Sequence, residues 1–172
     1  MATWIVIGIV LVLLVVGWAY HTANRLDRLN VRVDLARQSL YASLDRRAVV
    51  VRAIAAELAA AEAGGPSASA RELAALADRA ERSAPEARED AENAVSAALA
   101  RTDGRGRSPA LVIELADAET RVMMARRFYN DAVRDTRALA ERRLVRWLRL
   151  GGRASPPTYF EINERVTPGQ GE

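Results

Sequence analysis

The chain has 172 residues, half of them hydrophobic and 27% charged, a composition that fits one globular domain with a small added element and excludes a disordered polymer or two large domains. It contains no cysteine, which removes disulfides, thiol catalysis and cysteine-based metal sites. The net charge of +3 and pI near 9.9 come entirely from arginine, yet those arginines interleave with acids at helical spacing, as in "ARELAALADRAERSAPEARED". Such spacing predicts solvated i,i+4 pairs rather than the one-sided basic stripe that nucleic acid requires, so nucleic acid is excluded as a partner.

The first element is "WIVIGIVLVLLVVGWAY", residues 4–20, uncharged throughout and bounded by Trp4 at one end and Trp18 and Tyr20 at the other. At about 17 residues it reaches the lower length for a membrane-spanning helix, and its aromatic ends suit the two interfaces. A cleaved signal peptide is disfavoured, because "MAT" carries no basic side chain and "GWAYHTANR" offers no small-x-small cleavage site. Residues 1–21 are therefore expected to form a retained transmembrane anchor. Arg25, Arg28, Arg32 and Arg37 follow the span and nothing basic precedes it, which predicts a short outer N-terminus and a cytoplasmic remainder. His21, the only histidine, stands at the membrane exit and makes no metal site alone.

Residues 22–152 are expected to form a cytoplasmic helical domain. Its first helix, about 22–62, carries Leu26, Leu29, Val33, Ala36, Leu40 and Leu44 at alternating three and four spacing and continues the anchor without a breaker. "GGPSAS" ends it, and Ser69 with Glu72 reads as a capping box for a second helical region, 69–101, with a break near 83–85 where Ser83, Pro85 and Glu86 supply start signals. That region is rich in alanine and nearly limited to Leu73, Leu76, Val95 and Leu99 for large apolar groups, which makes it the weakest of the set. Ser108 and Pro109 open a third helix, 109–150, closed by Gly151 and Gly152. Its stripe runs Leu111, Leu115, Ala118, Val122, Ala125, Tyr129, Ala132, Thr136, Leu139 or Ala140, Leu144 and Trp147, with Phe128 and Val133 widening the seam. The predicted fold is all-α: a single transmembrane helix continuing into an antiparallel three- to four-helix bundle with long, coiled-coil-like helices. Residues 153–172, with two consecutive prolines, are expected to run extended or disordered, with Tyr159, Phe160 and Ile162 anchoring them back on the helices.

Two stretches are specific enough to carry a resemblance. "ARRFYNDAVRD", followed by "PPTYFEI", resembles the C-terminal signature of the LemA family of bacterial membrane proteins, through Ala125, Arg126, Tyr129, Asn130 and Val133 and then Phe160 and Glu161. "NRLDRLNVRVDLARQSLYASLDRR" is similar to that family's membrane-proximal helix, ending in a double arginine, Arg46 and Arg47. The chain reads "AVVVRAIA" where the family has a proline with Leu-Val, and Thr136 and Arg137 where it has a second Tyr-Asn pair, so it resembles a divergent member. The resemblance implies a single-pass protein of the bacterial inner membrane with a cytoplasmic helical domain and no established activity.

No Ser/His/Asp set, Gly-rich phosphate loop or His-x-x-x-His pair is present, so no catalytic, cofactor or metal site is expected. The reading that remains is a non-enzymatic scaffold or interaction module whose partners are the membrane, an unidentified protein and a second copy of the chain. The alternative is membrane-surface binding through the basic stretch 142–153, led by Arg142, Arg143, Arg146, Trp147 and Arg149. An out-back-out helix order puts that stretch at the far end of a rod about 60 Å long, which argues against it. For Tyr129 and Asn130 two roles stand side by side: a core tyrosine with a register-setting rim asparagine, or a contact for the folded-back tail.

Overall fold

The computed structural model describes residues 1–61, 67–102, 107–148, 150 and 156–162. It is all-helical, with α1 over Ala2–Ala61, α2 over Ala68–Glu81, α3 over Arg88–Arg101, α4 over Pro109–Ala140 and a short α5 over Arg143–Trp147. No strand occurs among the described residues.

Helix α1 has two chemically distinct halves. Its N-terminal stretch reaches a mean hydropathy of 2.6 over 18 residues with none of that window buried, so the helix is long and apolar enough to cross a membrane. Leu13 and Leu14 are about two-thirds exposed. From Thr22 onward the heptad-spaced Leu26, Val33 and Leu40, then Leu44 and Val51, are all buried. Leu29 and Ala36 are half-buried on the margin of the same stripe.

Two compact units share α1 and α4. One consists of Met1–Gln38 with Phe128–Tyr159; the other contains Ser39–Arg127 with the described tail residues from Phe160. In the second unit, Val51, Ile54 and Ala55 of α1, Leu73, Ala77 and Ala80 of α2, Val95, Ala98 and Leu99 of α3, and Leu115 and Ala118 of α4 form one core. The alanines permit close helix approach while the few large residues supply most of the apolar burial, about 1.5–3 kcal/mol for each leucine. Helices α2 and α3 run in opposite directions: Glu72 pairs with Arg101 at 2.8 Å, and the Glu81 carbonyl accepts from Arg88 at 3.3 Å.

In the first unit, Thr22, Leu26 and Val33 of α1 are buried, as are Tyr129, Ala132, Val133, Thr136 and Leu139 of α4 and Val145 of α5. The buried Thr136 hydroxyl donates to the Ala132 carbonyl at 2.8 Å, so it enters the interior with its donor satisfied.

Several sequence expectations need correction. Helix α2 is capped by Ser67, not Ser69: Ser67 takes an extended ψ of 161° and its Oγ accepts from the Ala70 N–H at 3.1 Å. Glu72 is drawn instead to Arg101. Ser83 closes α2 by donating to the Arg79 carbonyl at 2.7 Å, and α3 starts at Arg88 without a side-chain cap. Pro109 does occupy the first position of α4, but the Ser108 hydroxyl donates to Glu57 at 2.8 Å, tying α4 to α1.

The third long helix stops at Ala140, ten residues before the expected end at Leu150. Arg142 has ψ 133°, and its N–H bonds back to Leu139 in a tightened last turn. Straight propagation at 3.6 residues per turn would keep Trp147 about five turns above Tyr129 on the buried face and turn Val145 outward. The break reverses that choice: Val145 is 1% exposed, whereas Leu144 is 59% and Trp147 80% exposed. Phe128 does not widen the seam either, being 60% exposed at the edge of the arc that Ala125, Tyr129 and Ala132 define. The positions expected for the end of the tail, 163–172, and for Gly151 and Gly152 lie outside the described residues.

Candidate functional site

The double arginine divides between solvent and interior. Arg46 is exposed near Asp117, whereas Arg47, one residue on, is 5% exposed. Arg47 Nη2 donates to Glu92 Oε2 at 2.7 Å and to the Glu92 carbonyl at 3.3 Å, and Nη1 donates to Ser96 Oγ at 3.2 Å. The other oxygen of Glu92 accepts from Arg88 Nε at 2.9 Å, and Arg88 Nη2 donates to Asp45 at 2.6 Å. The Arg88 guanidinium also lies over the Tyr41 ring, 5.4 Å from its centroid.

One carboxylate, 1% exposed, thus stands between two buried guanidiniums. Desolvation is the largest influence on Arg88 and lowers its pKa, but its hydrogen bond to Asp45 and the charge of Glu92 outweigh it and leave it raised above the ordinary value. The cluster is thus one carboxylate shared by two guanidiniums, with Asp45 as a second acid on Arg88. It stitches α1 to α3 by geometry that apolar contacts alone would not impose.

Beside this cluster opens a cavity of about 300 Å³, the lower end of the range for ligand pockets. Leu99, Val122, Met123 and Ile162 give it an apolar lining, and Arg47, Ser96, Glu119, Thr120 and Arg126 form its polar part. The Nε–H of Arg47 is sealed from solvent behind that lining and has no hydrogen-bond partner among the described residues. The tail closes one side: Arg126 donates to the Ile162 carbonyl at 3.3 Å, and the Glu161 N–H donates to Glu89 at 3.1 Å. Phe160 and Ile162 are buried.

The residues of the "ARRFYNDAV" motif serve different contacts. Ala125 and Val133 are buried and Arg126 is half-buried. Tyr129 is 6% exposed, and its hydroxyl donates to the Thr158 carbonyl at 2.8 Å, so this aromatic is at once a packed side chain and a tether for the tail. Asn130 is half-buried on the rim. Arg137 stacks over the Tyr159 ring at 5.7 Å. Arg142, Arg143, Arg146 and Trp147 stand exposed around α5, and Arg149 lies outside the described residues.

The sequence reading missed Arg88, Glu92 and Ser96, because charge-rich helices were assigned to solvent. A signal was present: Arg88, Glu92, Val95 and Leu99 continue one four-three-four stripe, so two charged residues occupy core positions of an otherwise apolar face. Among the described residues, no group of three His, Asp or Glu side chains is placed to hold a metal ion. The arrangement offers binding: a recess of mixed apolar and polar lining with a tail strap along its edge. Comparison of the chain with protein-family models, with curated proteins and with solved structures gave no match.

Proposed function

We propose that the chain is a divergent LemA-like, single-pass protein of a bacterial inner membrane, with a short outer N-terminus and a cytoplasmic antiparallel bundle of long, coiled-coil-like helices. It acts as a non-enzymatic scaffold that docks a protein partner. The paired Arg46 and Arg47, the "ARRFYNDAV" stretch and the Phe160-Glu161 pair support the family reading, and the basic residues following the apolar helix support the orientation. The observation that carries the interaction role is the open cavity of about 300 Å³ in which Leu99, Val122, Met123 and Ile162 are left beside the guanidinium of Arg47. An apolar side chain of a partner fills such a recess, and polar groups beside it meet the charged and hydroxyl side chains of the lining.

Site-specific photocrosslinking in cells tests this. A benzophenone side chain at Met123, on the cavity wall, is expected to trap one discrete protein adduct, and Ala116→Phe, which fills the recess from its rim, is expected to abolish the adduct without lowering Tm. A Met123 probe that traps nothing, or an adduct indifferent to Ala116→Phe, contradicts the proposal.

A further inference from the structure

The first unit contains α1 only as far as Gln38 and α4 only from Phe128. Within it, Arg32 pairs with Asp135 at 3.5 Å. Gln38 lies about six residues after Arg32 and Phe128 about seven before Asp135, so both ends of the unit fall at one level only when the helices run in opposite directions, at 1.5 Å per residue. The same register, followed the other way to the end of α4, brings Ala140 level with Asp27; Thr22 lies five residues before Asp27, and Val145 follows Ala140 in the short α5. Val145 and Thr22 are buried, at 1% and 6%, although the stretch before Ala19 is bare. Helix α5 therefore stands where the exposed apolar stretch of α1 ends, and not at the far end of a rod as the out-back-out order implied.

Ion pairing in this unit is graded along the same axis. Arg32, Arg37, Arg134 and Arg137 each have a carboxylate, supplied by Asp135, Asp34, Asp131 and Glu141. Arg25, Arg28, Arg142, Arg143 and Arg146 are exposed and make no ion pair among the described residues. Asp27 is the only acid within residues 22–29 and 142–148. Arg142 and Arg143 follow the C-terminal end of α4 and Arg146 lies in the last turn of α5, where helix dipoles favour cations, yet all three stay exposed and none pairs with a carboxylate among the described residues. Between the arginines, Leu144 and Trp147 project outward, and Trp18 and Tyr20 are exposed on the adjoining end of the apolar stretch.

Resting on the membrane-anchored reading above, we propose that α5, with Arg25 and Arg28, binds the anionic phospholipid headgroups of the bilayer that α1 enters. Guanidinium forks take phosphate oxygens in two parallel hydrogen bonds, and Trp147 and Leu144 enter the boundary between headgroups and acyl chains. The contact fixes the domain against the membrane beside its own anchor.

The test uses the full chain, whose lack of cysteine makes single labelling clean. Nitroxides at Leu144→Cys, Val12→Cys and Ile113→Cys are compared in nanodiscs of phosphatidylcholine alone or mixed with phosphatidylglycerol, by accessibility to oxygen against a neutral aqueous nickel chelate. The expected result is a Val12 label immersed in both lipids, an Ile113 label in water in both, and a Leu144 label shielded several-fold from nickel only with phosphatidylglycerol. Arg142→Gln, Arg143→Gln and Arg146→Gln together should lose that shielding with helicity and Tm unchanged. A Leu144 label equally wet in both lipids, or equally shielded in both, overturns the assignment while leaving the anchor intact. Shielding produced in phosphatidylcholine by added inorganic phosphate overturns it in favour of a free-anion site. A wet Val12 label overturns the anchor and this inference together.

Discussion

Replacing Glu92 by Gln keeps the side-chain shape and removes the one negative charge shared by two buried guanidiniums. Arg88 retains Asp45 at 2.6 Å, but Arg47 keeps only Ser96 Oγ and a backbone carbonyl, so one buried cation loses its counter-charge. Breaking a buried pair from one side costs about 3–5 kcal/mol, because the surviving charge stays desolvated. Against a total stability of roughly 5–15 kcal/mol, and at about 2–4 °C per kcal/mol for a chain of this size, Tm should fall by on the order of 10 °C. Urea, which is uncharged, is the suitable denaturant, with helicity followed by circular dichroism in non-ionic detergent. Arg47→Met in the Glu92→Gln background should restore part of the loss, since it removes the stranded charge and the orphan Nε–H together, giving a coupling energy of about 2 kcal/mol. A Glu92→Gln loss under about 1 kcal/mol, as for a surface pair, with additive single and double variants would refute this reasoning.

Three further outcomes follow from particular contacts. Val145→Ala should cost about 1–2 kcal/mol in urea melts, whereas Leu144→Ala should stay within about 0.5 kcal/mol; the reverse order would restore an unbroken third helix. Tyr129→Phe removes the hydrogen bond to the Thr158 carbonyl, worth about 0.5–1.5 kcal/mol, and should speed proteolysis near residues 156–159 without changing helicity. Asp117 is held below the usual carboxylate range chiefly by its hydrogen bond from Arg121, so the pair's contribution is present above the unfolded-state pKa and is lost as pH falls through the lower folded-state value. A side-chain carbon-13 titration should show this depressed midpoint, and Arg121→Gln should return it upward.

The long helices were legible because their physics is local. Leu26, Val33, Leu40 and Leu44 repeat at helical spacing, and the span around Leu13 needs only its apolar run to be recognised. The caps were less so: Ser67 and Ser69 both precede alanine-rich helix, and only the extended backbone at Ser67 decides between them. Nothing in "ERRLVRW" resembles a helix breaker, so the stop at Ala140 reflects a tertiary preference for burying Val145 over Leu144 and Trp147. Of the candidate site, the sequence exposed Arg47, Tyr129 and the Phe160-Glu161 pair through resemblance. It hid Glu92 and Arg88, since a charged residue on an alanine-rich helix looks the same whether it faces water or another helix. The cavity was beyond reach for a related reason: its walls come from α1, α3, α4 and the tail, segments distant in sequence.

The membrane anchorage of this helical domain is tested most directly by alkaline carbonate extraction of membranes from cells making the full chain, beside a chain lacking residues 2–20. The full chain should stay in the pellet and yield only to detergent, while the shortened chain appears in the soluble fraction. Full-length protein released by carbonate alone would contradict the account, because an uncovered apolar helix of mean hydropathy 2.6 embedded in lipid has no reason to leave it at high pH.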